Sequence, residues 1–174
     1  DPTEETWVSE GMSELATRIS DQRPGQYVGN LQQDTFLRFP SISLVNWPQE
    51  ASANYGAAFL FFQYLSAHYG SRDDLLALVK EPKDGMEGIS SYLAQLGYQK
   101  TFSDVFKDWV VANYLDAPQG PYGYPDRHIR VRDVAFVFTY SEREETLPQF
   151  SARYIDLRLK GRDVLVSFRG NSEV

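Results

Sequence analysis

The chain has 174 residues, 42% hydrophobic and 14% aromatic, with a net charge of −7 and no cysteine. That length suits one domain, or one and part of a second, with enough apolar side chain for a packed core. The acidity argues against a nucleic-acid interface. The missing cysteines exclude disulfides, thiolate nucleophiles and cysteine–zinc sites, and no apolar run is long enough to span a membrane.

In chain order, Thr3 or Thr6 can cap a helix running to about Ile19. Trp7, Val8, Met12, Leu15, Ala16 and Ile19 recur along it at helical spacing. Residues 20–46 read as irregular, broken by Pro24, Gly25, Gly29 and Pro40. The strongest helical signal is Ala53 to His68, whose run Ala57-Ala58-Phe59-Leu60-Phe61-Phe62 demands burial on most sides. Ser71 opens a helix through Leu75, Leu76, Leu78 and Val79. Another runs from about Glu87 to Leu96 and stops at Gly97. Thr101-Phe102-Ser103-Asp104 has the form of a capping box, leading into Val105, Phe106, Trp109, Val110 and Tyr114.

Composition shifts at Ala117-Pro118-Gln119-Gly120-Pro121-Tyr122-Gly123-Tyr124-Pro125, which cannot continue a helix. This stretch is either a flexible hinge or a packed crossover. Beyond it the apolar residues alternate. Val134, Phe136, Phe138 and Tyr140 share one strand face, and Ile155, Leu157 and Leu159 another. A turn at Lys160-Gly161 then leads to Val164, Val166 and Phe168, the pattern of an antiparallel hairpin. The expectation is a mainly α-helical lobe over 1–116 and a β-rich segment over 117–174. The second part reads as a truncated β-sandwich with an antiparallel sheet, whose open edge could pair two copies of the chain.

The chemistry-bearing candidates lie in the first helix. Glu10 and Glu14 are one turn apart on one face, an arrangement that costs roughly 0.2–0.5 kcal/mol in like-charge repulsion. Arg18, one turn further on, could offset it as a surface ladder with Glu14. A metal could offset it instead, with Glu10 as ligand and Glu14 holding a ligand histidine through its second ring nitrogen. His68, near a helix end, reads as structural. His128 reads as solvated at a strand entry. Tyr122 and Tyr124 are possible stacking surfaces for a sugar or peptide.

The segment Trp7-Val8-Ser9-Glu10-Gly11-Met12-Ser13 resembles the W-L-N-E-G-F-A segment of gluzincin metallopeptidases, including membrane-alanyl-type aminopeptidases. Tyr55-Gly56-Ala57-Ala58-Phe59 is similar to their Y-x-K-G-x segment, although Ala57 and Ala58 replace its lysine and glycine. The layout also resembles bacterial peptidase-MA-like proteins, which follow the metal glutamate with a helical lobe and a β-rich domain. The resemblance implies a secreted or cell-surface zinc metallopeptidase acting on peptides or proteins. Within it, Glu10 is the third zinc ligand, Glu14 orients a ligand histidine, and Tyr55 stabilises the oxyanion. The family's His-Glu-x-x-His helix is absent from the sequence and would fall a short way before Asp1. The chain is therefore expected to be part of a longer protein, to bind no zinc by itself and to be inactive alone. The competing expectation is a non-catalytic binding module or an inactive relative.

Overall fold

The computed structural model describes residues 3–20, 29–47, 51–71, 73–140, 142–160 and 164–169. Among these described residues, six helices precede two short strands. They are α1 (Thr6–Ser20), α2 (Gly29–Arg38), α3 (Ser52–His68), α4 (Leu75–Val79), α5 (Gly85–Gln95), α6 (Phe102–Leu115), β1 (Val134–Val137) and β2 (Tyr154–Leu157). The mainly helical expectation holds, and five of the helices lie where the apolar periodicity places them; Ser71 does not cap α4, which begins at Leu75 with Asp74 before it.

α3 is the axis of the lobe. Its apolar run has no polar face to turn outward, so the other elements pack around it. Every residue from Ala53 to Leu65 is buried except Tyr55, which is half-buried. α1 covers one strip of α3 with Trp7, Val8, Gly11 and Leu15. The Trp7 ring stacks on Phe62 at 5.7 Å and meets Phe61 edge-on at the same distance. α6 begins with a true capping box: Thr101 accepts from the Asp104 backbone N–H, and the Asp104 carboxylate accepts from that of Thr101. α5 ends at Gln95, and two residues on Gly97 turns the chain with a φ of +85° that suits glycine.

Two expectations need correcting. The first is the irregular reading of residues 20–46, because 29–38 form helix α2. α2 has few apolar residues, so its periodicity is weak. What fixes it is contact with α3, where a Cβ on Gly56 would lie 2.1 Å from the Gln32 carbonyl oxygen. Gly29, read as a breaker, is its first residue.

The second concerns the sheet. β1 and β2 pair in parallel, in the register Val134↔Tyr154 to Val137↔Leu157, not antiparallel. Parallel neighbours need a long return connection. The connection lies between them in sequence, and its residues 149–152 pack against the helical lobe before β2 begins. The Lys160-Gly161 turn of the expected hairpin falls partly outside the described residues. Val164–Arg169 join no ladder among the described residues. The alternating apolar face is not buried either: Phe136, Phe138 and Tyr140 are exposed, while Val137 and Tyr154 face the interior.

The Pro/Gly segment is a packed crossover. Tyr64 donates its hydroxyl to the Pro121 carbonyl at 2.7 Å, and His68 Nε2 lies 2.8 Å from the Gly123 carbonyl. Tyr124 is buried, so it offers no ring to a ligand. Its hydroxyl accepts from Trp109 Nε1 at 2.9 Å and donates to Asn113 Oδ1 at 2.8 Å.

Candidate functional site

Glu10 and Glu14 lie on a flank of α1, both half-buried, beside the strip that packs on α3. The glycine following Glu10 explains how close the two helices come. A Cβ at Gly11 would sit 2.4 Å from Phe62 Cδ2 and 3.0 Å from the Ala58 Cβ. Only glycine permits that approach without moving a buried ring.

Tyr55, Ala58 and Phe62 are spaced i, i+3 and i+7, so they share one strip of α3. Gly11 touches that strip at Ala58, one turn and about 4.5 Å along the axis from Tyr55. The helix bearing both glutamates and the helix bearing Tyr55 are therefore neighbours through the residue adjacent to Glu10. Tyr55 is the one half-buried position between Ala53 and Leu65, a stretch otherwise buried throughout.

The Tyr55 ring packs on Trp47, with centroids 5.1 Å apart and planes inclined at 56°. Sequence reading missed Trp47 because it lies in a loop with no periodicity to assign it a face. Its indole N–H donates to the Leu44 carbonyl at 2.8 Å. Leu44 itself is buried.

The two histidines stand apart from these helices' glutamates. His68 sits over the Tyr64 ring at 4.5 Å, against the crossover, as a structural histidine would. His128 is largely solvent-exposed, with Nδ1 3.1 Å from an Asp116 carboxylate oxygen. Among the described residues, no three histidine, aspartate or glutamate side chains gather closely enough to hold a metal ion. Glu10 can supply one carboxylate oxygen to a zinc ion, and the remaining ligands would have to come from other residues.

Two further concavities flank α1. A groove between α1 and α4 is lined by Met12, Ala16, Ile19, Leu76 and Val79, with a compartment of about 370 Å³ extending to Glu4 and Glu81. A cleft of about 510 Å³ lies between α1, α3 and the Pro125–Arg127 turn. In it, Gln63 Nε2 donates to Asp126 at 3.3 Å, and the Arg127 guanidinium lies 5.8 Å over the Phe59 ring.

No protein-family model matches the chain, and no curated protein matches it. Among the described residues no helix is long and apolar enough to cross a membrane.

Proposed function

We propose that these residues form the helical lobe of a gluzincin-type zinc metallopeptidase that hydrolyses peptide bonds outside the cell. Glu10 is the carboxylate ligand of the metal. Glu14 accepts the second N–H of a ligand imidazole, which fixes the tautomer that binds metal. Tyr55 donates its hydroxyl to the developing oxyanion. The two histidines and the general base come from residues outside these 174. Zinc, when bound, supplies a water activated at neutral pH.

One observation carries this reading. The glycine beside Glu10 brings α1 directly onto the strip of α3 that holds Tyr55, the one half-buried residue of that stretch. A carboxylate ligand and a phenol donor must flank the same reacting carbonyl, and helices in contact at this point can present both. A ladder with Arg18 accounts for Glu14 alone and says nothing of Tyr55 on the next helix.

The test uses the longer protein that includes the residues preceding Asp1. Elemental analysis is expected to find about one zinc per molecule, lost in Glu10→Ala with the fold retained. Tyr55→Phe is expected to keep zinc and lose about 10²–10³ in kcat, the usual cost of one oxyanion donor. The 174-residue chain alone is expected to show no chelator-sensitive peptidase activity. Stoichiometric zinc that survives Glu10→Ala, or activity of the isolated chain, would overturn the proposal. A folded protein with no zinc would favour the second reading, a binding module. The exposed rings of Phe136 on β1 and of Phe138 and Tyr140 just beyond it support that alternative.

A further inference from the structure

We propose that the return segment between the two strands sets the position of Tyr55, acting through Trp47 as a positioning residue. This rests on the assignment of Tyr55 as the oxyanion donor. The loop bearing Trp47 is held by three hydrogen bonds to residues more than a hundred positions later. Ser43 Oγ donates to the Gln149 carbonyl at 2.7 Å, the Leu44 N–H to the Phe150 carbonyl at 2.9 Å, and Ser41 Oγ to the Ala152 carbonyl at 3.2 Å.

The clamp continues on both sides. Ser43 Oγ also accepts the Asn46 N–H at 3.0 Å, which shapes the turn that leads to Trp47. The Ser43 carbonyl accepts from Asn54 Nδ2 at 3.3 Å, one residue before Tyr55. On the far side, Phe150 has φ +51°, in the left-handed region that a bulky residue rarely occupies. Such a conformation persists only where the surroundings over-determine it. Here the Phe150 ring is packed against Phe102 at 5.2 Å and Phe106 at 5.5 Å on α6. The strained residue is thus anchored to the helical core while its carbonyl holds Leu44, whose own carbonyl holds the Trp47 indole.

A phenol that stabilises an oxyanion must hold its oxygen to within a fraction of an ångström, because misplacement by about 1 Å can cost 10²-fold in rate. Tyr55 is half-buried, so its ring needs a wall to hold it. Trp47 is that wall, and the clamp keeps it in place.

The experiment places 3-fluorotyrosine at position 55 of the 174-residue chain and follows its ¹⁹F resonance. Trp47→Ala is expected to shift it toward the value of free fluorotyrosine. Ser43→Ala, which leaves both rings intact, is expected to broaden or split it. Thr101→Ala, a capping loss of similar structural cost elsewhere, should leave it unmoved. A Tyr55 resonance indifferent to both Trp47→Ala and Ser43→Ala would overturn the inference. In the zinc-loaded longer protein, Trp47→Ala is expected to lower kcat about tenfold with KM unchanged. Trp47→Phe should restore kcat, and Trp47→Ala should add nothing in a Tyr55→Phe background. A tenfold loss that persists in that background would also overturn it. Should the longer protein bind no zinc, the assignment of Tyr55 chemistry fails, while the resonance still reports whether the clamp fixes its ring.

Discussion

Replacing Gly11 by alanine separates two accounts of the glycine that follows Glu10. By helix propensity alone, alanine inside α1 should stabilise the chain by about 0.5–1 kcal/mol. The structure predicts the reverse. The added methyl would lie 2.4 Å from Phe62 Cδ2 and 2.8 Å from Cε2. Phe62 is fully buried, stacked on Trp7 and edge-on to Phe61 at 5.5 Å, so its ring has no free direction to turn. Overpacking of this kind costs about 1–3 kcal/mol. Set against the propensity gain, the net loss is about 0–2.5 kcal/mol, at roughly 2–4 °C in Tm per kcal/mol for a chain of this size. Urea denaturation followed by tryptophan fluorescence measures it. In a Phe62→Leu background the same substitution should cost less, with a coupling of about 0.5–3 kcal/mol. A Gly11→Ala chain more stable than the parent by the full propensity gain, with no coupling to Phe62→Leu, would show that α1 does not ride on α3 at this point. The proposal that Glu10 and Tyr55 serve one site would lose its support with it.

Two further outcomes follow from buried tyrosines. Tyr124→Phe removes the hydroxyl that joins Trp109 Nε1 to Asn113 Oδ1, leaving both partners buried and short of a bond. A loss of about 1–3 kcal/mol in urea is expected, and an unchanged midpoint would refute it. Burial pushes the Tyr92 hydroxyl up to about 12 and raises those of Tyr64, Tyr124 and Tyr154 as well. A phenol whose folded pKa is raised binds its proton more tightly when folded. Its contribution is therefore complete below the ordinary value of about 10 and is lost as pH rises through the folded value. Stability should fall from about pH 10 upward, with tyrosinate absorbance lagging until the chain unfolds, and Tyr92→Phe should flatten the slope. Full ionisation of every tyrosine near pH 10 with the fold intact would contradict this.

Much of the helical lobe was legible in the sequence, for local reasons. The capping box at Thr101 and Asp104, the left-handed Gly97 and the run from Ala57 to Phe62 each specify an element within one or two turns of chain. The candidate site was legible only in its parts. Glu10, Glu14 and Tyr55 could be named from spacing and resemblance, but nothing in the sequence says that α1 meets α3 at Ala58 and Phe62, or that Trp47 packs on the Tyr55 ring. The sheet failed for a related reason. Alternation in Val134, Phe136 and Phe138 reports a strand, but not its partner's direction, which depends on where residues 138–153 travel.

The sequence by itself determined the helices that carry their own caps and apolar stripes, because those signals act between residues three or four apart. It also determined the two glycines, Gly11 and Gly56, but not their purpose. The tertiary structure decided α2, which is stabilised by its contact with α3 more than by its own weak stripe. It decided the parallel pairing of β1 and β2, and the burial of Tyr124 in a segment rich in breakers. It also decided the clamp that ties Ser41, Ser43 and Leu44 to residues 149–152. These features rest on contacts between residues far apart in the chain, whose free energy depends on close packing and on hydrogen bonds that form only once the lobe has assembled.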